Sequence, residues 1–305
     1  MENDLSVVPK KRFARPWRTA FQFALVLLIM VSLGNYQYFL DEYALATYHA
    51  PADIAALETP LGLTRTAQAI ADRAQPQIDE KAAFNRDCQT SVGELELGCY
   101  THGRIYILKI SSPSLQPEME TVLAHEILHA AWNRMSTVDR LKLGNELETR
   151  YHELKDTELT SRMASYAKTE PGEEANELHS ILGTEQTNLA NSDLESHYLS
   201  YFTNRAAIVA AHQDYQAVFT SRGRELAQQL ATIKSLEAQL DVLNARMTSD
   251  NTRGLISAYN ALVPSQNRLV DQVNGLIRSY DASVDEYNAL SASIDSNQLS
   301  TEPGV

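Results

Sequence analysis

The stretch 121–132, TVLAHEILHAAW, constrains this chain of 305 residues more than any other. His125 and His129 are four residues apart, so a helix sets them one turn apart on one face, where two imidazoles can hold a single metal ion. Ring nitrogens so placed reach a zinc ion at roughly 2.0–2.1 Å. Glu126 lies about a third of a turn round from His125. From there its carboxylate can take a proton from a water held by the metal without itself being a ligand, which is the work of a general base. The flanking residues favour a helix. Pro117 suits a first turn, Glu118 and Glu120 complement the positive helix end, and neither Gly nor Pro interrupts 118–132.

Upstream, Arg104-Ile-Tyr-Ile-Leu-Lys-Ile110 alternates as an edge strand would. An HEILH helix preceded by such a strand resembles the zincin metallopeptidases, and the resemblance covers residues 85–200. It implies an α+β core, zinc-dependent peptide hydrolysis, and a third zinc ligand supplied by a Glu on a later helix. The segment 173–185, EEANELHSILGTE, is the one downstream stretch that is acidic, contains a His and has helical apolar spacing. Its Asn176-Glu177 pair looks like the start of the NExxS-type motif of the Glu-dependent, gluzincin-like members. Glu177 is therefore the expected third ligand, with Glu173, Glu174, His179 and Glu185 as alternatives. The family's acidic residue four places later is Ile181 here, which leaves the outer partner of the histidines open between Glu185 and Glu173. His179 is either a hydrogen-bond donor to the reacting oxyanion or, on the simpler reading, a packed side chain. Leu194, Tyr198, Tyr201 and Phe202 read as a core stripe, and His197 beside them gets no catalytic role.

Five basic and two acidic side chains fall within residues 1–18 of a chain whose net charge is −13, so the remainder is strongly acidic. Such a surface repels nucleic acid, and no nucleic-acid partner is expected. After Lys10, Lys11, Arg12, Arg15 and Arg18 comes an apolar run, 19–40, interrupted by Gln22, Asn35 and Gln37. About 20 residues at 1.5 Å each cross a bilayer core of about 30 Å, so the run reads as one transmembrane helix. The basic cluster puts residues 1–18 in the cytoplasm and everything after residue 40 outside the cell membrane. The rival is a cleaved signal peptide ending at Ala44-Leu-Ala46, well beyond the most apolar part of the run.

Residues 41–75 read as a linker and a short helix, and 76–204 as the zincin-like core. Outside the cell, Cys88 and Cys99 are free to form a disulfide. Zinc ligation by the pair is the weaker alternative, because their spacing matches no compact ligand pair. Leu226, Leu230, Ile233, Leu236, Leu240, Leu243 and Met247 recur at three- and four-residue steps. Beyond turn-forming residues at 249–254, Tyr259, Val273, Tyr280 and Tyr287 share one heptad position, with leucines three later. This spacing predicts an antiparallel coiled-coil hairpin over 205–297, a surface for a protein partner, followed by a polar tail at 298–305.

The expected fold is thus mainly α: an α+β zincin-like core with a small edge-strand sheet, a coiled-coil hairpin and one N-terminal transmembrane helix. The expected activity is that of a membrane-anchored zinc metallopeptidase cutting protein or peptide substrates on the extracytoplasmic side, with His125, His129 and Glu177 on the metal and Glu126 as base. The rival is a membrane-tethered adaptor built on an inactive zincin-like scaffold. The intact Glu126 argues against it.

Overall fold

A computed structural model describes residues 16–88, 97–190 and 192–296. The basic tail before residue 16, the segment 89–96 between the cysteines and the tail from 297 lie outside them. The described chain is mainly helical with one three-stranded sheet, and it divides into two units, one up to Thr47 and one from Tyr48 on.

The first unit is a bent helix pair, α1 (Pro16–Gly34) and α2 (Tyr36–Thr47). The single span expected over 19–40 is corrected here. No single described helix is long and apolar enough to cross a membrane, and the two halves pass that test only together, across a bend of 67°. The cause lies in Gly34 and Asn35. The Asn35 side chain donates to the Val31 carbonyl at 2.8 Å, competing with the backbone bond to the same oxygen at 3.0 Å. Back-bonding of this kind to residue i−4 bends helices.

In the second unit α3 (Ala52–Leu61) and α4 (Arg65–Ala74) come first. They bury Ile54, Leu57, Leu61, Ala67 and Ile70, so the stretch 41–75 holds a second core helix, α3, ahead of the expected short one. Then follow β1 (Gln77–Asp79), α5 (Lys81–Cys88), β2 (Gly98–Thr101) and β3 (Arg104–Leu108), in the sheet order β1-β3-β2. β3 pairs parallel with β1 and antiparallel with β2. The expected edge strand at 104–110 is therefore the central one, which explains why Ile105, Ile107 and Leu108 are all fully buried. The edge is β2.

Helix α6 (Glu118–Arg134) carries HEILH through the middle of the unit, with Leu123, Ile127 and Leu128 fully buried. Helices α7 (Thr137–Leu154) and α8 (Thr157–Thr169) start at side-chain caps. Ser136 accepts from the Asp139 amide at 3.2 Å, and Asp156 from the Glu158 and Leu159 amides at 2.9 and 3.0 Å. On α7 Leu143 and Leu147 are buried while Leu141 is exposed. Helix α9 (Glu174–Glu185) lies along α6, and Gly183 makes the close approach possible. A Cβ there would meet Leu128 Cδ1 at 2.5 Å and the Tyr198 ring at 2.5 Å.

α10 (Ser192–Leu199) ends before the hairpin, and the chain restarts as α11 (Arg205–Thr252). Tertiary bonds to the loop between α3 and α4 decide this. Thr64 N–H donates to Tyr201 O at 2.8 Å, Thr64 Oγ1 to Ser200 O at 2.7 Å and Thr203 N–H to Gly62 O at 2.8 Å. α11 runs on without a break through Gly223 and through most of the expected turn, reversing only at Arg253, Gly254 (φ +71°) and Leu255 into α12 (Ile256–Ile294). The two long helices are antiparallel: Arg222 meets Glu286, Gln229 meets Ser283, and Asn244 meets Gln266.

Candidate metal centre

α6 and α9 between them bring three ligand atoms to one point. His125 Nε2 lies 3.7 Å from Glu177 Oε2, and His129 Nε2 lies 3.3 Å from Glu177 Oε1. Among the described residues these three side chains form the one group of His, Cys, Asp or Glu that could hold a metal ion, their candidate ligand atoms all within 4.8 Å of one another. Two ligands held at about 2.05 Å by a tetrahedral ion are separated by about 3.3 Å, so the donor set fits a metal with little movement. Burial by itself would raise the Glu177 pKa. The charge of His129, the hydrogen bond and charge of His125, and the charge of Arg162 outweigh it and leave the carboxylate lowered, hence ionised.

The partner left open by the sequence is Asn176. His129 Nδ1–H donates to Asn176 Oδ1 at 3.0 Å, which fixes the tautomer and leaves the Nε2 lone pair for a metal. The Asn176 amide in turn donates to Glu173 Oε2 at 3.0 Å, so its orientation is held as well. Glu173 thus acts one step removed from the ligands. Glu174 accepts from the Gly172 amide at 2.8 Å, and Glu185 forms a two-pronged pair with Arg162 at 2.6 and 2.9 Å. Neither joins the metal group.

Glu126 is 4 % exposed and borders the same cleft, of about 810 Å³. β2 lies directly on it. A Cβ on Gly98 would meet Val122 Cγ1 and come within 2.8 Å of Glu126 Oε1, so only glycine lets the strand pass here. The bond between Cys88 and Cys99, expected from the sequence, joins β2 to the end of α5 with the two Cα atoms 5.8 Å apart. It holds the strand that flanks the base.

His179 is fully buried against Trp132 and Tyr198, shares a hydrogen bond with His197 between Nε2 atoms 2.8 Å apart, and does not border the cleft. It is a packed histidine, and burial holds its pKa well below the usual value. His197 is drawn down to about 4 by burial, and Tyr198, Tyr201 and Phe202 are core residues.

Two further stripes border the cleft that periodicity alone reads as core or surface. On α8 they are Glu158, Arg162, Tyr166 and, just past its end, Glu170, at steps of four. On α11 they are His212, Tyr215, Gln216, Phe219 and Thr220. The four-residue step from Glu158 through Arg162 and Tyr166 to Glu170 is the signal that could have found the first stripe. His212 had no local signal at all.

Comparison with protein-family models, with curated proteins and with solved structures finds no match for this chain.

Proposed function

We propose that this protein is a zinc-dependent metallopeptidase of the gluzincin-like type, hydrolysing protein or peptide substrates. The observation that carries the reading is the convergence of His125, His129 and Glu177 beside a buried Glu126 on an open cleft. Two imidazoles and one carboxylate are the ligand set of catalytic zinc, which keeps a fourth position open, whereas a structural site is closed by a fourth side chain. Zinc at this site supplies Lewis-acid chemistry, polarising a carbonyl and acidifying a water.

The chain's own residues do the rest. Glu126 takes the proton of the attacking water and returns it to the departing amine. Asn176 keeps His129 in the ligating tautomer, and Gly98 lets the β2 backbone lie beside the base. The substrate lies on the extracytoplasmic side in this reading. The bent pair α1 and α2, after a basic segment, anchors the chain in a membrane with its N-terminus in the cytoplasm, and the disulfide agrees with an oxidising compartment. α11 and α12 pair as a coiled coil that carries a surface for a protein partner.

The test is zinc content and casein hydrolysis in one preparation. Glu126→Gln keeps about one zinc per chain and loses hydrolysis by at least about a hundredfold, as removal of a general base does. His125→Ala loses both. Full hydrolysis by Glu126→Gln overturns the assignment of the base, and an inactive wild type with full zinc favours the adaptor reading.

A further inference from the structure

The ligands of the metal group come from two helices: both histidines from α6, Glu177 from α9. Whether the third ligand reaches the other two is therefore set by the gap between these helices, and sites of this kind depend on positioning to about 0.5 Å. A second polar rung crosses the same gap. Glu118 lies seven residues before His125 on α6, about 10 Å along the axis, and Glu185 lies eight after Glu177 on α9, about 12 Å along. Between these two carboxylates sits His212 of α11. Its Nδ1–H donates to Glu118 Oε1 at 2.9 Å, and its Nε2 lies 3.4 Å from Glu185 Oε2.

We propose that His212 is a positioning residue, bracing α6 against α9 through Glu118 and Glu185 and so setting the distance that Glu177 must bridge to the two histidines. The inference rests on the metal-site reading but not on peptide hydrolysis.

The rung is built for this. His212 is 7 % exposed and Glu118 5 %, so neither meets solvent or substrate freely. Arg162 of α8 pairs with Glu185 from the other side, and the Gln216 carboxamide lies 2.9 Å from His212 Nε2, where its oxygen accepts when the ring carries both protons. Burial pulls the His212 pKa down. The hydrogen bond to Glu118 and the charges of Glu185 and Glu118 outweigh burial and leave it raised, which favours the form with a donor on each nitrogen. A second metal site is the competing use of two carboxylates and a histidine. Against it, His212 faces the carboxylates with different nitrogens, and the Arg162 cation already occupies Glu185. α11 is also seated independently on α6, where Thr121 Oγ1 donates to Ile208 O at 3.3 Å. The brace thus has a fixed third support.

The experiment loads full-length wild type, His212→Ala and Glu118→Gln with cobalt(II) in place of zinc. It reads metal affinity by chelator competition and coordination by visible absorption. His212→Ala weakens binding 10- to 100-fold, the range for loss of an outer partner, and its cobalt bands lose intensity as Glu177 leaves the ion. Glu118→Gln, which keeps size and an acceptor but not charge, moves both readouts the same way by less. It decides the matter if His212→Ala does not fold. Wild-type affinity and bands in the folded variants overturn the brace, even if their melting temperatures fall. A wild type that binds no metal overturns the metal reading and the brace together, while one that binds cobalt but cuts no peptide refutes the peptidase alone and leaves the brace to be judged by the same bands.

Discussion

One helix, α11, is two different structures along its length. Its first turns are walled in by polar chemistry. Arg205 is 4 % exposed and spends its guanidinium on Glu195 at 2.9 and 2.6 Å and on the carbonyls of Gln186 and Thr187 at 2.7 and 3.1 Å, just past the end of α9. Ile208 and Val209 are buried beside it, and His212 holds the second rung. Beyond Phe219 the same helix has α12 as its main neighbour, and only Ile233, Met247 and Asp250 of its distal part are buried. Apolar spacing is similar in both parts. Periodicity reports that a helix has a face to bury, not whether that face is met by one neighbour or by three.

The contrast predicts effects that shrink with distance from the base. Arg205→Ala strikes hardest. It leaves the partly exposed Glu195 and the carbonyls just past α9 without their donor, and the expected cost is about 2–4 kcal/mol in urea unfolding, with metal affinity falling as α9 loosens. A cost below about 1 kcal/mol would put the base on the same footing as the distal helix.

Glu185→Gln comes next, and its effect depends on pH. Burial acts to raise the Glu185 pKa, but the hydrogen bond and charge of Arg162 lower it below the ordinary carboxylate value. A depressed folded pKa gives stability that is present above the unfolded pKa and lost as pH falls through the folded one. The variant should therefore be weaker than wild type by about 3 kcal/mol at pH 7, with the difference closing in the acid range. Parallel urea melts at pH 7 and pH 3.5 check this, and an unchanged difference would mean the pair acts by shape and not by charge.

The smallest effect belongs to the distal hairpin. Excising 231–281 and joining the arms by a short turn removes surface that the arms bury mainly against each other, so metal affinity should stay within about twofold. Removal of 205–297 as a whole should instead abolish folding, because it takes Arg205, Ile208 and His212 with it.

The metal group was readable because its signal is local. Two histidines at i and i+4 define a site wherever a helix forms, and Asn176-Glu177 needed only a second helix beside the first. Asn176 itself was in view as the neighbour of Glu177, yet its bond to His129 depends on how α9 lies on α6. The brace was not readable, since Glu118, Glu185 and His212 sit far apart in sequence and meet only through packing. The break at 200–204 and the central place of β3 have the same origin. Both are decided by bonds to remote segments, which override local preference. The bend at Asn35 is the opposite case. It was visible as a polar interruption, and its own side chain does the bending.

The far end of α12 completes a loop of a different kind. Lys81 Nζ donates to Ala292 O, and Asn85 Nδ2 donates to Ser296 O at 2.7 Å, so the returning arm is tied to α5, which the disulfide joins to β2. The outgoing arm is rooted across the cleft at Arg205 and His212. Each arm of the hairpin thus stands on a different side of the candidate metal cleft. The hairpin closes a ring: the strand beside Glu126 is fastened through the disulfide and α5 to the foot of one arm, and α6 through Glu118 to the foot of the other.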